Sequence, residues 1–240
     1  MTPSTPKMIN SLIFKPSAGT SPWTGLLIAL LCAFLLPGCG KSTNSKLDAE
    51  LAALDSSTAS ERETALLHLR DMAGGEEAAP KAIKLLKDDS AEVRTAAIGL
   101  LAKFEQKTPE ALTALGALAA NDPDEGVQGE AMAALLGMGA TDKFIEVCIA
   151  FVNGADAGKQ SIGANGLQQV DVGVAEAAQD ALLARLKDGS AEVRSQCAYA
   201  LGNLGAKATA ETKTALEAAA KSTNKDVAEA GKAALESLNK

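Results

Sequence analysis

The chain has 240 residues, with 23 Lys+Arg against 30 Asp+Glu, a net charge of −7 and a single His. That acidic balance argues against nucleic-acid binding, which needs a basic face to meet phosphates. Aromatics at 3% argue against an all-β fold, and a 47% apolar fraction is too high for a disordered chain. A helical protein poor in reactive side chains remains.

Residues 1–38 carry Lys7 and Lys15 and no acid. An apolar run from Leu26 to Leu36 follows, ending in Leu36-Pro37-Gly38-Cys39. A basic start, a short apolar stretch and a small residue before a cut are the parts of a secretory signal. The run is well short of the ~20 residues that cross a bilayer as a helix. Met8 offers an alternative start to Met1. Leu-Pro-Gly-Cys resembles the lipobox of bacterial lipoproteins, although Pro37 stands where a small or β-branched residue is more usual. The resemblance implies that Cys39 is acylated and becomes the first residue of the mature chain. It also implies export and a lipid anchor on a bacterial membrane. Gly40, in place of Asp, would direct the protein in a diderm cell to the outer membrane, facing the periplasm. Residues 39–45 then form the lipidated Cys and a polar linker, and six linker residues reach at most ~20 Å.

From residue 46 onward the chain repeats. Lys87-Asp88-Asp89-Ser90-Ala91-Glu92-Val93-Arg94 returns as Lys187-Asp188-Gly189-Ser190-Ala191-Glu192-Val193-Arg194. Val93, Val127, Val193 and Val227 mark a period of about 33 residues, with one degenerate copy between the second and third. Four residues after each Val sits Ala97, Ala131, Cys197 or Gly231, and eight after it Leu101, Leu135, Leu201 or Leu235. Eleven after it sits Phe104, Met138, Leu204 or Leu238. Those offsets share one helical face. Gly139 and Gly205 come next and suit a left-handed helix end. Ser90 and Ser190 read as N-caps, and Asp122-Pro123-Asp124-Glu125 reads as a cap, a Pro at the first helical position and a capping-box Glu.

A further helix precedes each of these, over 79–87, 109–120, 142–152, 174–187 and 209–221. The unit is a helical hairpin, and six are expected: 46–74, 75–105, 106–139, 140–172, 173–205 and 206–240. The fourth carries Gly163 and Gly166 inside its second helix. Glycine costs ~1 kcal/mol against alanine there, so this repeat is expected to be the softest or bent.

The pattern resembles HEAT repeats, in particular the short HEAT-like type of phycobilisome lyases. It is carried by Asp188, Val193-Arg194, Ala198 and Ala200-Leu201-Gly202-Asn203-Leu204-Gly205, and again by Asp88, Val93-Arg94 and Leu101. The resemblance implies an all-α solenoid of stacked hairpins over residues 46–240. In HEAT proteins, Asp and Arg at similar places form a ladder along the stack. By resemblance Asp88, Arg94, Asp122, Asp188 and Arg194 are therefore structural. Arg94 is expected to pair with Asp88 or Asp89, and Arg194 with Asp188, each within its own repeat segment. Gln128 would interrupt the ladder.

Chemistry is sparse. His68 stands alone where catalytic metal sites need two or three imidazoles, so it is expected at the surface or core edge. There is no Gly-x-Ser-x-Gly elbow and no P-loop spacing. Cys148 and Cys197 sit in apolar helical contexts and are expected as unpaired core thiols. No catalytic residue, metal or cofactor is expected. The reading is a membrane-tethered scaffold for a protein or peptide partner, docking on exposed residues of the second helices, with no nucleic-acid role. The alternative is an enzyme of the HEAT-like class, of lyase or oxidoreductase type. One His, and no His-Glu dipeptide, disfavour it.

Overall fold

The structure is a computed structural model that describes residues 44–170 and 172–239. The signal segment and Cys39 lie outside the described residues. Residues Lys46–Lys240 form one compact unit.

The described residues hold twelve α-helices, two short 3₁₀ turns and no strand. They are α1 (Asn44–Ala53), α2 (Ala59–Asp71), α3 (Ala79–Leu85), α4 (Ala91–Lys103), α5 (Pro109–Asn121) and α6 (Glu125–Gly137). Next come α7 (Thr141–Asn153), α8 (Ala157–Gln168), α9 (Val172–Asp188), α10 (Ala191–Gly202), α11 (Ala210–Ala220) and α12 (Lys225–Leu238). They pair as six consecutive hairpins, and the chain folds as an α-solenoid.

Local chemistry sets the helix starts. Ser90, Thr108, Asp124, Asp156, Ser190, Thr209 and Asn224 each accept a hydrogen bond from the backbone N–H three residues on. Such a cap is worth ~1 kcal/mol. The cap of α6 is Asp124 and not Asp122, the cap expected from the Asp122-Pro123-Asp124-Glu125 motif. Asp122 instead ends α5, accepts the Asp124 amide at 2.9 Å and leaves Pro123 in the turn. Its carboxylate is thereby freed to face the preceding repeat.

Left-handed residues follow several of the second helices. Gly139 and Gly205 have φ of 68° and 53°. After α6, Ala140 N–H donates to Leu135 O at 2.8 Å and Gly139 N–H to Leu136 O at 2.9 Å, closing the Schellman pair. Glu105 occupies the same position after α4, with φ of 46°.

The second helices turn their Val/small/Leu stripe inward. Val93, Val127, Val193 and Val227 are buried, as are Ala97, Ala131 and Cys197 and Leu101, Leu135 and Leu201. Full burial of one such leucine is worth ~1.5–3 kcal/mol. In the fourth repeat Lys159 replaces the Val. Its ammonium lies 5.4 Å from the Phe151 ring centre and donates to Ala120 O at 3.4 Å.

First helices pack on first helices (α3–α5, α5–α7, α7–α9, α9–α11), and second helices on second helices (α2–α4, α4–α6, α8–α10, α10–α12). One step is missing. α6 and α8 barely touch, whereas α7 and α8 pack extensively. Two glycines lie at the α7–α8 contact. A Cβ on Gly163 would lie 2.5 Å from Cys148 O, and one on Gly166 2.7 Å from Cys148 Sγ. Lacking those atoms, α8 packs closely on α7. The glycines of the fourth repeat thus serve close packing.

Candidate partner-binding surface

The space between α6 and α8 is a groove of about 470 Å³. Gly129, Met132 and Leu136 line one wall and Ile162 and Gly166 the other, with Phe144 contributed by α7. Ile162 is 53% exposed, the most open of the large hydrophobic side chains among the described residues. Ser161, Asn165 and Gln169 supply polar groups, and the lining carries no charge. Ser161 Oγ lies 3.3 Å from Glu192 Oε1, which sets an acid at the margin. Across α2, α4 and α6 a second recess of about 450 Å³ carries Glu63, Glu92, Asp124 and Glu130 against Arg70. The second-helix face is thus an apolar cleft beside an acidic field.

The predicted ladder residues lie on another flank, with a different pairing from the expected one. Arg94 donates from Nε and Nη2 to Asp122 Oδ2 and Oδ1 at 2.8 and 2.6 Å, so its carboxylate belongs to the next repeat. Within its own repeat it reaches only the carbonyls of Asp88 and Asp89. Asp88 is taken by Arg62 of the preceding repeat, at 2.7 Å for both bonds. Arg62 was not singled out in the sequence, because its repeat lacks the flanking Asp-Asp-Ser signature. These are two forked Arg–carboxylate rungs, the strong form of the interaction.

Beyond them the rungs stop. Gln128 and Gln160 fill the Arg position and donate to the carbonyls of Asp122 and Gly154. Asp188 does not meet Arg194. It pairs with Arg185 one helical turn earlier, at 3.3 Å, and Arg194 Nε donates to Leu186 O at 3.2 Å. The reason is sequence position. An Arg at this place points its fork to the following repeat, and Ser222 stands there instead of Asp.

His68 is exposed and lies 2.9 Å from Glu50 Oε1, tying α2 to α1. Cys148 and Cys197 are free and buried. Among the described residues no group of three or more His, Cys, Asp or Glu could hold a metal ion, and no helix is long and apolar enough to cross a membrane.

A HEAT-repeat family model matches residues 47–136, and a single HEAT repeat matches 179–208. Together they cover half of the chain. No curated protein matches the sequence. Among solved structures, a mutant of Kap121p superposes with a TM-score of 0.51 at 16% identity, over 81% of this chain and 23% of that one. A designed armadillo repeat protein in complex with the peptide (KR)4 gives 0.49 at 22% identity, over 81% of this chain and all of that one. The TOG-domain protein Crescerin gives 0.49 at 14%, over 80% and 90%. The protein belongs to the HEAT-repeat family.

Proposed function

We propose that this protein is a non-catalytic, membrane-tethered interaction scaffold, held by a lipid on Cys39 at a bacterial envelope membrane and docking a protein partner on its second-helix face. The observation that carries the reading is the α6–α8 groove. It leaves Ile162 exposed beside Met132, Leu136 and Phe144 on a face otherwise rich in acids. Solenoids bind partners through the extended faces of their stacked helices. The partner that fits presents an apolar side chain to the cleft and basic residues to Glu130 and Glu192. The lipobox-like Leu36-Pro37-Gly38-Cys39 supports the anchor, since acyl chains contribute ~0.8 kcal/mol per buried CH₂.

Two experiments test it. Radiolabelled palmitate is incorporated by the native chain and lost in Cys39→Ser; persistent labelling of that variant rejects the anchor. Crosslinking in native membranes followed by mass spectrometry recovers a defined protein joined to α6 or α8. Recovery of no protein rejects the scaffold.

A further inference from the structure

The repeat offset of 100 residues makes two grooves in the stack directly comparable. One is lined by Leu86, Lys87, Arg94 and Leu118 and measures about 430 Å³. Its counterpart, lined by Leu186, Lys187, Arg194, Glu211 and Ala218, measures about 660 Å³. Of the differences between their linings, two bear directly on the guanidinium. Leu118 becomes Ala218, which removes bulk from the wall. Asp122 becomes Ser222, which removes the anion.

Ser222 keeps half of the aspartate's work. Its Oγ accepts the Asn224 amide at 3.2 Å, as Asp122 Oδ1 accepts Asp124 and Asp88 Oδ1 accepts Ser90. What it cannot supply is the carboxylate fork. Arg194, half-buried, uses Nε on Leu186 O, and neither of its Nη groups has an acceptor among the described residues. No acid lies within 4 Å of it there. Neighbouring charges are already matched, Lys187 by Glu211 at 3.1 Å and Arg185 by Asp188 at 3.3 Å. The widened groove therefore holds a guanidinium whose two companions, Arg62 and Arg94, each receive a forked carboxylate from inside the chain.

We infer that Arg194 is a carboxylate-binding site, at which an Asp or Glu side chain from a partner completes the missing rung between the fifth and sixth hairpins. The planar two-oxygen anion matches the guanidinium edge. The groove beside Arg194 is also larger than the one beside Arg94, by about half. The inference extends the scaffold reading to a second surface but does not depend on the α6–α8 groove, because its test uses a small molecule and no partner.

The test follows the Arg194 Nε–Hε resonance of the full ¹⁵N-labelled chain while N-acetyl-aspartate N-methylamide is added. Inorganic phosphate is titrated in parallel. Expected is a saturable shift at Arg194, none at Arg94, and weaker binding of phosphate. In Ser222→Asp the internal carboxylate occupies the guanidinium. The free Arg194 resonance then moves toward that of Arg94, and the amide binds at least about tenfold more weakly. Arg194→Gln is the second control, and binding detected through the Ala218 amide should vanish in it. No saturable shift, equal binding by Ser222→Asp, retained binding by Arg194→Gln, or a preference for phosphate would each overturn the carboxylate assignment.

Discussion

Asp122 receives Arg94 from the hairpin before it, at 2.6 and 2.8 Å, while accepting its own turn amide from Asp124 at 2.9 Å. Arg94 is 7% exposed and Asp122 6%, so the pair joins two repeats inside the stack. Breaking such a pair strands a charge. Asp122→Ala is expected to lower stability by ~3–5 kcal/mol, more than the ~1 kcal/mol of an ordinary surface pair. Adding Arg94→Met to Asp122→Ala should recover part of that loss, because the stranded charge is then gone. Urea unfolding of the two single variants and the double variant checks this; strict additivity would mean that the two side chains act independently.

Acid should loosen the same joints. Hydrogen bonds from Arg62 hold the Asp88 carboxyl below the usual range against the cost of burial, helped by the Ser90 amide and the charges of Arg62 and Arg94. Burial is the largest influence on Asp122 and opposes its ionisation. The Arg94 hydrogen bonds, the Asp124 amide and the Arg94 charge together outweigh it, and its pKa is lowered. With both folded-state pKa values depressed, their stabilisation is complete above the unfolded value of about 3.9 and is lost as pH falls through the folded values. The urea midpoint should stay level from neutrality to about pH 5 and drop below about pH 4. In Asp122→Asn the drop should be shallower. Parallel curves for the two proteins would exclude Asp122 as a source.

The glycines of α8 and α6 should respond oppositely to the same change. Gly163→Ala gains helix propensity but meets Cys148 O and the Phe151 Cβ, 2.5 and 2.8 Å from the new carbon. A net loss of ~1–3 kcal/mol is expected, since the clash is with backbone that cannot yield cheaply. Gly129→Ala meets nothing within 4 Å and should stabilise by ~0.5–1 kcal/mol. Thermal unfolding of the pair checks the contrast. A stabilised Gly163→Ala would show that α7 and α8 are not in close apposition.

The two described thiols should be silent in the folded protein. Burial pushes both Cys148 and Cys197 up to about 12. For Cys197 the nearby Arg185 charge lowers the value and Asp188 raises it, both less than burial acts. Iodoacetamide at pH 8 should modify neither residue in the native chain and both in urea without reductant. Resistance in urea, relieved by reductant, would reveal a disulfide instead.

The hairpin boundaries were legible because cap, stripe and terminal glycine recur in register. Val93, Leu101 and their copies name the buried face without reference to any neighbour. The ladder pairing was not legible. Arg94 and Asp88 are six residues apart in sequence, but Asp122 is the carboxylate partner, and only the stacking of hairpins brings it near. The missing α6–α8 contact was not legible either. Gly163 and Gly166 read as weak helix formers, whereas in the structure they lie where α8 packs closely on α7. Arg194 carried the same motif as Arg94, and nothing local to it announced that Ser222 had replaced its anion.

The scaffold reading turns on whether a partner occupies the α6–α8 groove. A photoreactive amino acid placed at Ile162 in the full chain, expressed in its native host and illuminated, measures this directly. Thr113, exposed on the first helix α5, serves as the control position. The account predicts a discrete covalent adduct with one protein from Ile162 and none from Thr113. Adducts of equal yield from both positions, or none from Ile162, would contradict it.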